Sequence, residues 1–324
     1  METRISVVIP TYRRPQLLVK CLDALYRQTL NKTAFEVIVV SDGPDGLTRD
    51  ALMDWHKGKS ELLFSFLSLP KKKGPAAARN LGWRSAKSPL IAFTDDDCRP
   101  MSTWLDTFCQ AYPGQPLWAM TGKVEVPIPL RPTDYEWNTA QLQTAEFVTA
   151  NCCCTRETLL ATGGFDEQFG MAWREDSDLH FRLITHGIPI TRVDEAVVRH
   201  PVRDAPWGIS LREQKKGQYN ALLYKRYPRL FRERIRKQPN WHYYTTVSLF
   251  VLAVTALVLD YPALSAVASI GWFVGVGLLT WKRLLPTRKS ASHIAEMALT
   301  SALIPFLSIY WQYYGAVKYR ALLF

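Results

Sequence analysis

The sequence predicts an α/β fold, a mostly parallel and doubly wound sheet, followed by a C-terminal helical membrane region. Three observations predict it. Strand and helix signals alternate through residues 5–95, as they do where a parallel sheet carries helices on both faces. Polar clusters follow the predicted strands at Thr11-Tyr12-Arg13, Ser41-Asp42-Gly43 and Asp95-Asp96-Asp97, at the sheet edge where such folds bind ligands. Residues 238–281 carry a single formal charge, Asp260, in apolar runs that approach the thickness of a bilayer.

The elements follow in order. Residues 5–9 (Ile-Ser-Val-Val-Ile) suit a strand covered on both faces. Residues 15–29 predict a helix: Pro15 fits its first turn, and Leu17, Leu18, Cys21, Leu22 and Leu25 line one stripe. Residues 35–40 predict a second strand, closed by the turn Ser41-Asp42-Gly43-Pro44-Asp45-Gly46. A short helix over 48–56, a strand over 62–69, an Ala-rich helix over 74–86 and a strand over 89–94 complete the repeat. Beyond residue 117 the pattern loosens. Strands over 118–126 and 147–154 flank a loop marked by Pro127, Pro129 and Pro132. A short helix near 156–161, an amphipathic helix over 176–186 and a short strand over 197–199 lead to His200.

Composition excludes several classes. With 39 aromatic residues and 48% hydrophobic residues in 324, the chain collapses in water and is no disordered tail. Six cysteines, three of them the consecutive Cys152, Cys153 and Cys154, make no disulfide scaffold; the triplet reads as small apolar packing. No Gly-x-Gly-x-x-Gly follows the first strand and no Walker pattern occurs, so dinucleotide and P-loop readings fail. The N-terminus shows no signal-peptide pattern, which places the N-terminal part in the cytoplasm as an expectation, with reduced cysteines.

The net charge of +11 is compatible with nucleic acid, an anionic membrane or a phosphorylated substrate, and its position chooses. Residues 203–237 hold 11 Lys/Arg against 3 Asp/Glu, eight of the eleven net charges. Apolar stretches over 243–259 and 263–281 follow, edged by Trp241, Tyr243, Tyr244, Tyr261 and Trp281, an interfacial aromatic pattern. A second basic cluster, Lys282, Arg283, Arg288 and Lys289, precedes a third stretch over 294–314 that contains Glu296 and Gln312. That third stretch reads either as a span or as an in-plane helix. The positive-inside rule puts both basic flanks on the cytoplasmic side. The expected organisation is a catalytic domain over 1–202, a basic amphipathic juxtamembrane segment over 203–240 and a membrane region over 241–324. Anionic lipid is the expected partner and nucleic acid is not; the oligomeric state is left open.

Five groups of residues can carry chemistry. Adjacent carboxylates at a strand end, Asp95-Asp96-Asp97, repel one another unless a cation is present, and oxygen ligands of this kind suit Mg²⁺ or Mn²⁺. Asp42 occupies an equivalent edge, where it either accepts from a ribose or base or simply forms the turn. Lys71-Lys72-Lys73-Gly74-Pro75, with Arg79 and Asn80 beyond, opens a helix as an anion site would. Asp176, beside Glu175, either caps a helix or serves as a general base. His200 can act as a metal ligand beside carboxylates.

In this order the fragments resemble family 2 glycosyltransferases of the GT-A nucleotide-diphospho-sugar transferase fold, over roughly residues 4–200. The stretches are Ser6-Val7-Val8-Ile9-Pro10-Thr11-Tyr12-Arg13-Arg14, Val37-Ile38-Val39-Val40-Ser41-Asp42-Gly43, Gly74-Pro75-Ala76-Ala77-Ala78-Arg79-Asn80-Leu81-Gly82, Phe93-Thr94-Asp95-Asp96-Asp97, Gly163-Gly164-Phe165-Asp166-Glu167 and Glu175-Asp176-Ser177-Asp178-Leu179. The resemblance implies a nucleotide-sugar pocket at Pro10, Thr11, Tyr12, Arg13, Asp42, Arg79, Asp95 and Asp96. It implies a divalent cation, Mn²⁺ or Mg²⁺, on Asp97 and His200. It places Gly164, Phe165, Asp166 and Trp173 on the acceptor side and makes Asp176, with Glu175 beside it, the base of an inverting transfer. The donor would be a UDP- or GDP-sugar and the acceptor a lipid or glycan at the cytoplasmic face of the membrane. Processive members carry Gln-x-x-Arg-Trp after the base. Here residues 212–219 read Arg-Glu-Gln-Lys-Lys-Gly-Gln-Tyr, so transfer of a single sugar is the expectation. A polymer-synthase component and a non-catalytic scaffold on the same fold are its alternatives.

Overall fold

The computed structural model describes residues 3–321. The chain divides into two units, one up to Pro127 with Ala140–Val202, the other Ile128–Thr139 with Arg203 onward.

The first unit is built on an eight-stranded sheet: β1 (Ile5–Thr11), β2 (Phe35–Ser41), β3 (Leu63–Ser68), β4 (Leu90–Phe93), β5 (Arg99–Pro100), β6 (Ala119–Glu125), β7 (Cys152–Thr155) and β8 (Ile190–Arg199). Their order across the sheet is β3-β2-β1-β4-β7-β6-β8-β5. β1 pairs in parallel with β2 and β4, and β2 with β3. β7 runs antiparallel to β4 and β6, while β6 and β8 are parallel. Every residue of β1, β2 and β4 is buried, as a strand covered on both faces must be, which is why these segments are near-continuous apolar runs. The helices are α1 (Pro15–Tyr26), α2 (Gly46–His56), α3 (Pro75–Ser85) and α4 (Trp104–Ala111), then, past α5 of the second unit, α6 (Arg156–Thr162) and α7 (Glu175–Thr185).

β5 and α4 have no counterpart in the sequence pattern, and three further elements depart from it. The strand expected over 147–154 shrinks to β7, because Asn151 is fully buried as a cross-link. Its Nδ2 donates to the Lys123 and Ala196 carbonyls, and its Oδ1 accepts from Trp104 Nε1. The strand expected over 197–199 is the ten-residue β8, much of it exposed, so polar residues at 191–195 masked it. The Pro-marked loop contains a helix, α5 (Asp134–Ala140), most of which groups with the second unit. All six cysteines are free and buried.

The second unit holds α5, α8 (Ile209–Glu213), α9 (Gln218–Arg226), α10 (Pro228–Arg234), α11 (Trp241–Val258), α12 (Pro262–Leu284) and α13 (Ala291–Tyr319). The last three are long and apolar enough to cross a membrane, with mean hydropathies of 1.4, 1.8 and 1.4 over an 18-residue window. Each is longer than its apolar core in the sequence; at the start of α13 the Ser290 hydroxyl accepts from the His293 N–H and caps the helix ahead of the hydrophobic run. The basic segment 203–240 folds as α8, α9 and α10. α9 lies against α13, where Gly315 meets the Gln218 backbone and Lys225 Nζ donates to the Tyr319 carbonyl at 2.9 Å.

Candidate active site

β1, β2 and β4 end at one edge of the sheet, and their next residues converge with α3, α7 and the end of β8. At the end of β2, Asp42 Oδ1 accepts from the backbone N–H groups of Lys73 (2.7 Å) and Gly74 (2.8 Å). It thus fixes the basic loop at the start of α3. After β1, Tyr12 lies between two cations, Lys72 Nζ at 4.2 Å and the Arg13 guanidinium at 5.2 Å from its ring centre. Arg13 holds φ 55°, and its N–H donates to Asp45 Oδ2 at 2.7 Å.

The three carboxylates after β4 have separate surroundings. Asp95 accepts from Arg79 Nη2 at 2.6 Å. Burial alone would raise its pKa, but the Arg79 guanidinium, then His200 and Arg14, hold it below the usual value. Asp96 is fully buried, accepts from the Thr11 hydroxyl at 2.7 Å and lies 3.1 Å from Arg14 Nη2. Burial pushes it up to about 7. Asp97 Oδ1 lies 3.6 Å from His200 Nε2 and Asp97 Oδ2 lies 3.9 Å from Arg14 Nη1. Ligand atoms of Asp95, Asp97, Cys98 and His200 all fall within 4.8 Å of one another. The buried Nδ1 of His200 has no hydrogen-bond partner among the described residues, and Nε2 faces the carboxylate. Two carboxylates and an imidazole suit Mn²⁺ or Mg²⁺. Cys98 does not suit these hard cations: burial pushes its thiol well above the usual range, so it stays protonated.

Arg79 links this cluster to α7. It is 2% exposed, and its Nη1 donates to Glu175 Oε1 at 3.1 Å. Burial pushes Glu175 up to about 7 against the pull of Arg79. Desolvation also raises Asp176, next along the first turn of α7, while Ser177 opposes the rise by donating its N–H (2.6 Å) and its hydroxyl (3.2 Å) to Asp176 Oδ1. Asp176 does not cap α7; that position is Arg174, in the left-handed region at φ 74° with no side-chain cap bond.

Asn80 organises the turn after α6. Its Nδ2 donates to the Phe165 carbonyl (2.7 Å) and Glu167 Oε1 (3.0 Å), and its Oδ1 accepts from the Phe165 N–H (2.9 Å) and Trp83 Nε1 (2.9 Å). Phe165 then packs edge-on to Phe93, ring centres 5.1 Å apart, with the Arg79 guanidinium 5.6 Å from its centre.

Residues 6–113 match the family model described as Glycosyl transferase family 2. The chain carries a family 2 glycosyltransferase domain. Its sheet has the GT-A fold. Glycosyltransferase AglE of Haloferax volcanii is 27% identical over 233 residues, covering 68% of this chain and 74% of the relative. The GalNAc(5)-diNAcBac-PP-undecaprenol beta-1,3-glucosyltransferase of Campylobacter jejuni is 29% identical over 107 residues, covering 33% of this chain and 34% of the relative. The solved mannosyltransferase PcManGT of Pyrobaculum calidifontis, in complex with GDP-Man and Mn²⁺, superposes at a TM-score of 0.55 with 20% identity, over 99% of this chain and 88% of that one.

Within the first unit, the residues singled out in the sequence gather at and around the strand ends. Tyr12, Asp42, Asp95, Asp97, Asp176 and His200 stand around the strand ends. Pro10, Thr11, Asp96, Arg79 and Glu175 are buried, as are Asp42, Asp97 and His200, and Arg79 lies between the two carboxylates it bonds. Gly164 and Phe165 are also buried, and Phe165 is held by Asn80 and packed against Arg79. Asp166 Oδ1 accepts from the Gln168 N–H at 2.7 Å. Trp173 is 39% exposed with the Arg174 guanidinium 4.7 Å from its ring centre. Sequence reasoning missed Arg14, which pairs with both Asp96 and Asp97; it placed Lys72 and Asn80 in a candidate anion-site loop without their contacts to Tyr12 and Phe165. The run Arg13-Arg14 at the end of the first strand was the available signal for Arg14.

Proposed function

We propose that this protein is a membrane-anchored, metal-assisted, inverting glycosyltransferase. It moves one sugar from a UDP- or GDP-sugar to a hydroxyl of a lipid-linked or membrane-proximal acceptor. One observation carries the reading: Arg79 bonds both Asp95 and Glu175, joining the carboxylate cluster to the start of α7, where Asp176 sits. Displacement at an anomeric carbon needs a neutralised leaving diphosphate on one side and a base for the incoming hydroxyl on the other.

Asp97 and His200, with Asp95 beside them, would hold the cation, which when bound supplies positive charge to the diphosphate. Tyr12 and Asp42 offer a ring face and a carboxylate to the nucleoside. Lys72 and Lys73 bring positive charge to the same edge. Asp176, its pKa raised by desolvation, takes the proton from the acceptor hydroxyl, and attack from the face opposite the leaving group inverts the centre. Ser177 orients that carboxylate.

The GDP-Man and Mn²⁺ of the mannosyltransferase and the undecaprenol-linked name of the Campylobacter relative support the donor, cation and acceptor classes. The basic flanks of α11 and α12 support membrane anchoring with the catalytic unit on the cytoplasmic face. The test is a donor screen of detergent-solubilised protein against UDP-, GDP- and dTDP-sugars with Mn²⁺ or Mg²⁺, reading released nucleoside diphosphate. Turnover with none of them overturns the reading.

A further inference from the structure

Between α10 and α11 the chain forms a shallow, solvent-open cavity of about 780 Å³ lined by residues 232–239. Four of these eight residues are cations: Arg232, Arg234, Arg236 and Lys237. The one acid, Glu233, is bonded to Arg229 at 2.9 Å. Arg232 is held in place by its hydrogen bond to the Tyr224 hydroxyl and by stacking over that ring at 5.3 Å. We propose that this cavity binds a phosphate group, that of an anionic lipid headgroup.

The Arg236 side chain is half-buried, its backbone N–H is fixed to the Phe231 carbonyl at 2.9 Å, and no carboxylate among the described residues pairs with its guanidinium. Tyr243 and Tyr244 of α11 are the titratable groups that face it, and burial pushes its pKa below the usual value. A cation withdrawn from water without a counter-charge is costly; a bound anion offsets that cost. The planar guanidinium fork matches a phosphate in two-point bonding, where an ammonium meets it as a point charge.

Position selects the source of the phosphate. The cavity wall ends at Pro239 and α11 begins at Trp241, so the site lies at the entry of an apolar helix beside Trp241, Tyr243 and Tyr244. Aromatic residues of this kind settle at headgroup depth, which brings the cavity to the level of lipid phosphates. The inference rests on reading α11 as membrane-crossing and says nothing about the transfer chemistry.

The experiment uses the full chain in zwitterionic detergent micelles. Phosphatidylglycerol and phosphatidylcholine are added in equal amounts, retained lipid is read by native mass spectrometry, and inorganic phosphate is the competing free anion. Wild-type protein is expected to retain phosphatidylglycerol preferentially. Arg236→Gln and Lys237→Gln are each expected to lose about fivefold in that preference, the scale of one headgroup contact, and Arg236→Lys to keep part of it. Wild-type preference in folded Arg236→Gln, checked by its thermal unfolding midpoint, overturns the site. If Arg236→Gln does not fold, Lys237→Gln and Arg236→Lys carry the test alone. Displacement of the lipid by inorganic phosphate reassigns the site to a free anion and overturns the lipid proposal. Recovery of wild-type protein in the soluble fraction without detergent overturns the membrane reading and this site with it. Membrane recovery with unaltered variant selectivity overturns this site alone.

Discussion

Arg79 and Glu175 form a buried ion pair, 3.1 Å apart with side chains 2% and 4% exposed, and the same guanidinium holds Asp95. Removing one partner of such a pair typically costs about 3–5 kcal/mol. Arg79→Gln should therefore lower the thermal midpoint and reduce turnover while leaving Asp97 and Asp176 in place. It should also change the pH profile. Arg79 pulls the Glu175 pKa down from a value raised by burial to about 7, so losing the cation raises it further. Wild-type rate should fall as pH drops through about 7, because Glu175 must be ionised to hold the start of α7 where Asp176 sits, and the fall should begin at higher pH in Arg79→Gln. Stability has the opposite sign: a carboxyl with a raised folded-state pKa binds protons more tightly when folded, so its contribution is lost as pH rises from the unfolded value through about 7. A variant that loses rate with an unmoved acidic limb contradicts the link.

Asp176→Asn keeps the acceptor sites for the Ser177 N–H and hydroxyl but removes the base. General bases contribute roughly 10²–10⁴-fold, so turnover should fall by that amount while affinity for the nucleoside diphosphate, measured by calorimetry, stays within about twofold. Near-wild-type turnover would remove Asp176 from the mechanism.

Asp97 and His200 face each other at 3.6 Å. Asp97→Asn is expected to abolish metal-dependent turnover. His200→Gln removes one neutral ligand and should raise the Mn²⁺ concentration for half-maximal rate by about 10–100-fold, the scale of losing a contributor to a metal site. A Mn²⁺ titration curve unchanged in His200→Gln would show that the imidazole is not a ligand.

The buried half of the sheet was readable because β1, β2 and β4 are continuous apolar runs, and the turn after β2 is spelled out by Asp42-Gly43-Pro44-Asp45-Gly46. The edge was not. β8 alternates exposed charge with buried Val193, Ala196 and Val198, and β5 is two residues held by pairing with β8. In the site, residue types announced the carboxylates but not their orientations. Asp95, Asp96 and Asp97 are adjacent, yet Arg79, Arg14 with Thr11, and His200 draw them to three different partners. Such long-range pairings leave no local trace. Asn80 and Asn151 illustrate the same limit: each bonds backbone groups more than 25 positions away, a role that spacing along the chain does not encode.

Gly163 and Gly164 give a paired test of the Asn80 clamp. Both hold positive φ, 76° and 71°, so alanine strains the backbone at either. A Cβ on Gly163 would meet only Arg182 Nη1 at 3.9 Å, whereas one on Gly164 would lie 2.6 Å from Trp83 Nε1 and 2.7 Å from Asn80 Oδ1. Gly163→Ala should cost about 1 kcal/mol, the usual left-handed penalty. Gly164→Ala should cost about 1–3 kcal/mol more, as overpacking does, and should also reduce turnover by displacing Phe165 from Arg79. Equal thermal midpoints for the two variants would show that the clamp is not tight.

Within the second unit, Arg283 donates to Asp134 Oδ2 at 2.8 Å and Oδ1 at 3.3 Å, to the Thr300 and Ser301 hydroxyls at 2.7 and 3.0 Å, and to the Ser210 hydroxyl at 3.1 Å. The Arg288 N–H also donates to the Pro132 carbonyl at 2.8 Å. Segment 128–139, which leaves and re-enters the first unit's sequence, is thereby fixed to the ends of α12 and α13. Asp134→Leu or Arg283→Met alone leaves a buried charge unpaired and should cost about 3–5 kcal/mol. The double variant removes both charges and should recover a large part of that loss, because an apolar pair of similar volume often replaces a buried ion pair at little cost. Thermal midpoints in detergent of the wild type, both singles and the double form a mutant cycle that isolates the coupling. A double variant whose loss equals the sum of the singles would show that Arg283 and Asp134 act independently.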